Sequence, residues 1–136
     1  MSKTNVEQVI LRLENYLECW KQYNTFMSTA RTKKFTPEDE NQFLELKSVL
    51  TQEVEHILSA IDCGAVTRED VHNLIASGPS LRYLSEMNEN ALRGVEGQWH
   101  KLFISLQSIL GQLKVAQTAT TSKGFMQSWF GRSKAA

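Results

Sequence analysis

The sequence predicts an all-α protein: an up-down antiparallel helical bundle of three long helices plus one short helix, with a short C-terminal tail that is apolar and basic. Apolar residues recur every three or four positions along most of the 136-residue chain, and no long segment alternates with a period of two. Only two prolines interrupt this pattern. The predicted connections at 32–36 and 62–66 are short, which makes consecutive helices antiparallel neighbours.

The first helix is predicted from about Asn5 to Arg31. Its core positions are separated alternately by four and three residues, which places them along one side of a helix. This pattern is typical of helices that pack against each other along their length. The positions are Val6, Ile10, Leu13, Leu17, Trp20, Asn24 and Met27.

Local signals mark the start and end of the next two helices. Thr36 precedes Pro37 and three acidic residues, and Thr67 precedes a further acidic pair after Arg68. Threonine is a favourable N-cap, proline suits the first helical position, and acidic side chains stabilise the positive end of the helix dipole. Helix two is expected to end near residues 63–64, and short helix three at residues 77–79. Their predicted core residues are Phe43, Leu46, Leu50, Ile57, Ile61, Val71, Leu74 and Ile75.

From Ser80 the helical pattern resumes and continues to Gln117. One helix is able to span this segment, with a kink expected either at 88–90 or between Gly94 and Gly97. Close approach of a neighbouring helix is the expected reason for these two glycines. The apolar positions of the segment are Leu81, Leu84, Met87, Ala91, Val95, Trp99, Leu102, Leu106, Ile109 and Leu113.

The chain is predicted to divide into three parts. Residues 1–117 form the helical bundle domain, residues 118–124 form a linker rich in serine and threonine, and residues 125–136 form an amphipathic tail. The linker contains no large apolar residue, which favours an extended connection over a packed element.

The tail holds the candidate binding site of the chain. Four large apolar residues lie at positions i, i+1, i+4 and i+5, and burying such a helix face is worth about 6–10 kcal/mol before ordering costs. A segment of this kind seldom stays exposed to water, so it is expected to dock on its own bundle, on a partner or on a membrane surface. The membrane ranks lowest because about six residues is short for an independent membrane helix. The candidate partner- or membrane-binding residues are Phe125, Met126, Trp129, Phe130, Lys123, Arg132 and Lys134.

The zero net charge conceals an uneven distribution. Residues 32–90 hold 5 basic and 11 acidic residues, a balance of −6, whereas residues 91–136 hold 6 basic and 1 acidic, a balance of +5. Either the helices of the bundle neutralise one another, or the cationic end meets an anionic partner or surface. The basic cluster at 31–34 is followed directly by acidic residues, and no zinc-finger or RNA-binding motif is present. Nucleic acid is therefore not an expected partner.

A metal site is the alternative from a different functional class. Glu53 with His56, and Glu69 with His72, have the i, i+3 spacing that di-iron and di-manganese carboxylate bundles use. Such a centre also needs a glutamate from each of the other two helices, and the last helix offers only glutamines at that end. Because the ligand set is incomplete, no metal or other cofactor is predicted.

No complete catalytic set is present, so the chain is not expected to be an enzyme. Glycine-rich phosphate loops and nucleophile elbows are missing, and Cys19 lies beside Trp20 on an apolar helix face where burial is the default. The sequence has no apolar run of membrane-spanning length and no signal-peptide core, and two reduced cysteines suit the cytoplasm. The predicted function is a non-enzymatic protein-interaction module (adaptor, chaperone-like or oligomerisation) that binds another protein or itself. A carboxylate-histidine metal bundle and peripheral membrane attachment through the tail are the alternatives.

Overall fold

Five α-helices account for the described part of the chain in a computed structural model. The structure describes residues 3–61 and 66–121, with side chains for 6–61 and 66–118. The helices are α1 (Lys3–Thr32), α2 (Pro37–Ala60), α3 (Arg68–Ser77), α4 (Leu81–Glu86) and α5 (Glu89–Thr121). The predicted all-α bundle is confirmed. No helix within the described ranges is long and apolar enough to cross a membrane.

The junction between α1 and α2 follows the predicted capping signals. Helix α1 stops at Lys33, whose φ of 62° places it in the left-handed region that ends a helix. The hydroxyl of Thr36 accepts a hydrogen bond from the Asp39 amide, and the Asp39 carboxylate accepts one from the Thr36 amide. This capping box, with Pro37 at the first helical position, fixes the start of α2 where the sequence predicts it.

Helices α1 and α2 are antiparallel and are linked by one buried hydrogen bond. The hydroxyl of Tyr16 donates to the Leu50 carbonyl over 2.8 Å. One turn nearer the N-terminus of α1, Arg12 pairs with Glu53 at 2.9 Å. Tyr16 follows Arg12 along α1, whereas its partner Leu50 precedes Glu53 along α2. The two contacts therefore define the register of this antiparallel pair.

Helix α3 begins and ends at the predicted residues. Thr67 and Asp70 form a second capping box, and the helix stops at Ser77 with Gly78 as its C-cap. Gly78 is buried, and a Cβ atom added to it would lie 2.8 Å from the Tyr23 hydroxyl oxygen. The glycine is therefore required by the close packing of the turn against α1.

The segment from residue 80 is not one continuous helix, since it breaks after Glu86. Two N-caps follow each other: the Ser80 hydroxyl accepts from the Tyr83 amide, and the Asn88 side-chain oxygen accepts from the Ala91 amide. The resulting short helix α4 is a fifth element beyond the three long helices and one short helix expected. The break lies at the first of the two predicted kink sites.

Glu40 holds the N-terminus of α4 from the neighbouring helix α2. Its carboxylate accepts hydrogen bonds from the amides of Leu81, at 2.7 Å, and Arg82, at 3.2 Å. Lys47, two turns along α2, donates to the Pro79 carbonyl at 2.9 Å. These contacts attach the turn before α4 to α2, which positions the whole 78–82 segment.

Helix α5 runs antiparallel to α1 and contacts it along its length. Arg31 pairs with Glu96 and, at 3.3 Å, with Glu89 near the start of α5, whereas Lys114 pairs with Glu14 at 3.1 Å near its end. The C-terminus of α5 therefore lies at the same end of the bundle as the N-terminus of α1. The helix continues to Thr121, so it includes residues that the sequence assigns to the linker 118–124.

The core contains most of the predicted apolar positions, but the predicted core position Ala91 is exposed and Leu92 is buried instead, because the break before α5 changes which side of the helix faces the core. Every apolar member of the first line of core positions, from Val6 to Met27, is buried, and Asn24 is half-buried. The rings of Tyr16, Trp20 and Tyr23 contact each other in sequence, and Tyr23 contacts Phe43 on α2. Among the described residues no charged side chain is buried, so the interior is closed by aromatic and aliphatic packing.

Candidate functional site

The predicted binding residues of the tail lie outside the described residues. They are Phe125, Met126, Trp129, Phe130, Lys123, Arg132 and Lys134. The described residues offer other candidates, namely exposed apolar groups, clefts and clusters of titratable side chains.

The outer face of α5 is uncharged along its second half. Ile104, Ser108, Gly111 and Val115 follow one another at intervals of four, three and four residues, which places them on one line along the helix. Ile104 is 49% exposed and Val115 is 69% exposed. This line of four residues, which we call the α5 outer face, presents apolar groups and a glycine to the surroundings.

The glycines of α5 have no packing partner within the described chain. The expectation that a neighbouring helix approaches Gly94 and Gly97 closely is wrong here, because a Cβ atom added to either would meet nothing within 4 Å. The same holds for Gly111. Each glycine inside a helix costs about 1 kcal/mol relative to alanine. The packing of the described residues does not offset this cost.

A groove of about 330 Å³ separates α1 from α5 near the end of the bundle where the described chain stops. Leu17, Leu110 and Gly111 supply its apolar floor, and the rim is formed by charged and amide side chains. Glu14 pairs with Lys114 across the groove, and Glu18 pairs with Lys21 along α1 at 3.0 Å. All four of these side chains are between 43% and 64% exposed, so the two ion pairs are solvated and weak.

Two exposed apolar side chains stand beside this α1–α5 groove. Leu11 precedes Glu14 by one helical turn and is 60% exposed, and Val115 follows Gly111 by one turn. They are the two most exposed large hydrophobic residues of the described chain. Leu11 is not among the binding residues predicted from the sequence, although its position off the predicted core line of α1 is a signal of exposure.

A second cleft, of about 470 Å³, lies between α3 and α5, and polar and apolar groups contribute about equally to its surface. Asp70, which lines it, is already engaged as the capping residue of α3. The remaining lining residues are Val66, Asn73, Gln98, Lys101, Leu102 and Ser105. Because its polar side chains are solvent-exposed or half-exposed and come from two helix surfaces, the cleft has the character of an ordinary inter-helix depression.

The two Glu-x-x-His pairs do not converge on one site. Glu53 pairs with Arg12, and the carboxylate of Glu55 accepts two hydrogen bonds from Arg68, which holds the pKa of Glu55 below its usual range. The Nε2 atom of His72 is buried without a hydrogen-bond partner. Among the described residues, no three His, Cys, Asp or Glu side chains are grouped so that they could hold a metal ion.

Cys19 is half-buried beside the core, as an unpaired thiol. Burial is the main reason that its pKa is raised, and the neighbouring carboxylates of Glu53 and Glu18 add to the effect. The thiol is therefore protonated at neutral pH and is a poor nucleophile. Cys63 lies outside the described residues.

Comparison of the chain with protein-family models, with curated proteins and with solved structures finds no match in any of the three.

Proposed function

We propose that the chain is a non-enzymatic helical protein-interaction module of the cytoplasm, and that it binds a helix of another protein through the α5 outer face. The observation that carries this proposal is the alignment of Ile104 and Val115 on an uncharged line of α5. Apolar residues that recur along one exposed line of a helix are typical of surfaces that bind another helix. The C-terminal tail, with its aromatic and basic residues, is proposed to contribute to the same interaction.

A helix is the proposed type of partner because of the shape of this surface. Ile104 and Val115 are separated by about 16 Å along the axis, at 1.5 Å per residue, which matches three turns of a partner helix. Gly111 lies between them with open space above it. A glycine at this place lets another helix approach closely, as its side chains fill the space between the two apolar residues.

A non-enzymatic role is supported by the way the described titratable groups are used. The carboxylates of Asp39 and Asp70 cap helices, and that of Glu40 holds α4. The raised pKa of the Cys19 thiol opposes a role as nucleophile. These groups are used to build the bundle, and none of them converges on a common point.

The test is a binding assay with matched surface variants. The full chain is used to capture proteins from cells that express it, and the captured partner is then titrated against purified variants. We expect Ile104→Asp to weaken binding at least about tenfold, since it buries a charge in an apolar interface. Leu44→Asp on α2 is the matched control, because Leu44 is 45% exposed and lies on a different helix. Equal affinity of the two variants would oppose the proposal.

Two further measurements separate the alternatives. A truncation to residues 1–122 shows whether the tail contributes, since unchanged affinity and unchanged solution mass would remove it from the interaction. Elemental analysis that finds stoichiometric iron, manganese or zinc would favour the metal bundle. Sedimentation with anionic vesicles that falls with salt and with Trp129→Ala would favour membrane attachment.

A further inference from the structure

We propose that the α1–α5 groove is a binding site for an aromatic and basic segment, and that its occupant in the isolated protein is the chain's own C-terminal segment, residues 122–136. One consequence of this docking, competition with a partner, rests on the proposed function. The docking itself needs no partner. Four properties of the described residues support it: exposed apolar groups, reach, charge and the open space above Gly111.

The two most exposed large hydrophobic residues of the described chain stand at one end of the groove. Leu11, 60% exposed, stands on the α1 side, and Val115, 69% exposed, stands on the α5 side. The floor formed by Leu17, Leu110 and Gly111 lies about one helical turn beyond this pair, further from the end of α5. A segment that runs back along α5 passes the two exposed side chains first and then reaches the floor, and so removes apolar surface from water.

The segment is long enough to reach this site. Helix α5 ends at Thr121, and 15 residues follow it. Gly111 lies 10 residues before the end of α5, or about 15 Å at 1.5 Å per residue. Gly124 permits a sharp reversal of the chain. Ten further residues, 125–134, span at least about 15 Å even at the helical rise of 1.5 Å per residue, which is enough to reach Gly111 on the groove floor.

The basic residues of the segment occur in the same order as the acidic residues of α1 that they would face. Because Lys114 lies beside Glu14, each step forward along α5 corresponds to about one step backward along α1. A segment that returns antiparallel to α5 therefore passes the acidic side chains of α1 in ascending order. Lys123 comes level with Glu7, Arg132 with Glu14 and Lys134 with Glu18.

The aromatic residues of the segment fall between these charges. Phe125 to Phe130 come level with Leu11 and Val115, the two exposed apolar side chains. Glu7 has no ion-pair partner among the described side chains, and Glu14 is held only by a solvated pair. New cations can therefore be accommodated without breaking a buried interaction.

Docking would hide the same aromatic residues that are proposed to take part in partner binding. A partner would then have to displace the segment from the groove, which lowers its apparent affinity by the fraction of molecules in the open state. Deletion of the segment would expose the groove permanently. The segment thus acts as an internal competitor.

Limited trypsin digestion tests the docking directly, because Lys123 and Arg132 are cleavage sites within the segment. A synthetic peptide of residues 118–136 gives the rate for the free segment. We expect cleavage in the full chain to be at least about tenfold slower, since a closed state favoured tenfold protects the sites by that factor. Cleavage at the rate of the free peptide overturns the proposal. Protection that increases with protein concentration also overturns it, because it shows docking on a second copy.

The variant Leu11→Ser/Val115→Ser tests the site of docking. Both residues are exposed, so the fold is expected to be retained, and urea unfolding checks this. Protection should fall to the level of the free peptide, whereas the control Leu44→Ser/Ile104→Ser should keep it. Equal protection in the two double variants overturns the assignment to the groove.

A charge exchange tests the proposed register independently of the apolar contacts. Glu7→Lys should reduce protection about two- to fivefold, as expected for one solvated ion pair. Adding Lys123→Glu removes the trypsin site at residue 123, so cleavage is followed at Arg132 in all variants. Recovery of protection in the double variant supports the register, and the same protection in all three proteins overturns it.

Discussion

The indole Nε1 of Trp99, on α5, donates a hydrogen bond of 2.7 Å to the backbone carbonyl of Trp20, on α1. Trp99 also stacks on Phe103, with ring centres 4.8 Å apart and planes 12° from parallel. Because the carbonyl belongs to the middle of a helix, the bond fixes the position of α5 along α1. That position determines which residues line the groove between the two helices.

Replacement of Trp99 by phenylalanine should loosen this attachment. The variant loses one hydrogen bond and part of a half-buried ring, and we expect a loss of about 1–2 kcal/mol in the free energy of unfolding. Urea unfolding followed by circular dichroism measures it. His100→Ala, a substitution at the next residue, which is exposed, should change stability by less than about 0.5 kcal/mol. Equal effects of the two substitutions would contradict the role assigned to the bond.

The hydroxyl groups of Tyr16 and Tyr23 should contribute with opposite signs. Tyr16 donates to the Leu50 carbonyl, whereas the Tyr23 hydroxyl is buried without a hydrogen-bond partner. We expect Tyr16→Phe to destabilise the protein by about 1 kcal/mol. Tyr23→Phe removes an unsatisfied polar group and should be neutral or stabilising. The same unfolding assay compares them, and a larger loss for Tyr23→Phe would refute the assignment.

Alkaline pH should destabilise the bundle through the same two residues. Burial raises the pKa of Tyr23 from 10.0 to about 12, and burial raises the pKa of Tyr16 further still. In the folded state these phenols keep their protons at a pH where the unfolded chain loses them. Their contribution to stability is therefore complete below pH 10 and decreases as the pH rises above it. Unfolding free energies at pH 8 and pH 11 should differ less in Tyr23→Phe than in the wild type.

Gly78 should not tolerate a side chain while Tyr23 is present. A Cβ atom at this position would lie 2.8 Å from the Tyr23 hydroxyl oxygen and 3.2 Å from Leu84. We expect Gly78→Ala to cost about 1–3 kcal/mol, as overpacking in a core does. In the Tyr23→Phe background the cost should be smaller, because the closest atom is gone. A double-mutant cycle measures this coupling, and additive effects would argue against the contact.

Gly94 provides the matched control for that substitution. Nothing lies within 4 Å of a Cβ atom added there, and the residue is inside α5. Gly94→Ala should therefore stabilise the isolated protein by about 0.5–1 kcal/mol through helix propensity. A loss of stability would mean that another part of the chain packs against this face.

The helix starts were predictable from sequence because their determinants are local. Thr36 with Asp39, and Thr67 with Asp70, form capping boxes within four residues of the chain. The start of α4 depends in addition on Glu40, 41 residues earlier than the Leu81 amide that it binds. No local pattern identifies such a partner, so sequence analysis left open whether residues 80–117 form one helix.

The surfaces were less predictable than the core, for a related reason. The spacing of Leu13, Leu17 and Trp20 indicates burial whichever helix packs against them. Whether Leu11 or Val115 is exposed depends on which neighbours the fold supplies, and that is a property of the whole bundle. The same applies to Gly94 and Gly97, whose predicted close neighbour is absent from the described chain.

Site-specific photo-crosslinking in living cells tests the proposed interaction most directly. A benzophenone amino acid is placed at Ile104 on the α5 outer face or, as control, at Leu44 on α2. We expect irradiation to yield one dominant covalent adduct with another protein from position 104, and little or none from position 44. Equal adduct yields at the two positions, or none at position 104, would contradict the claim that this face binds a partner.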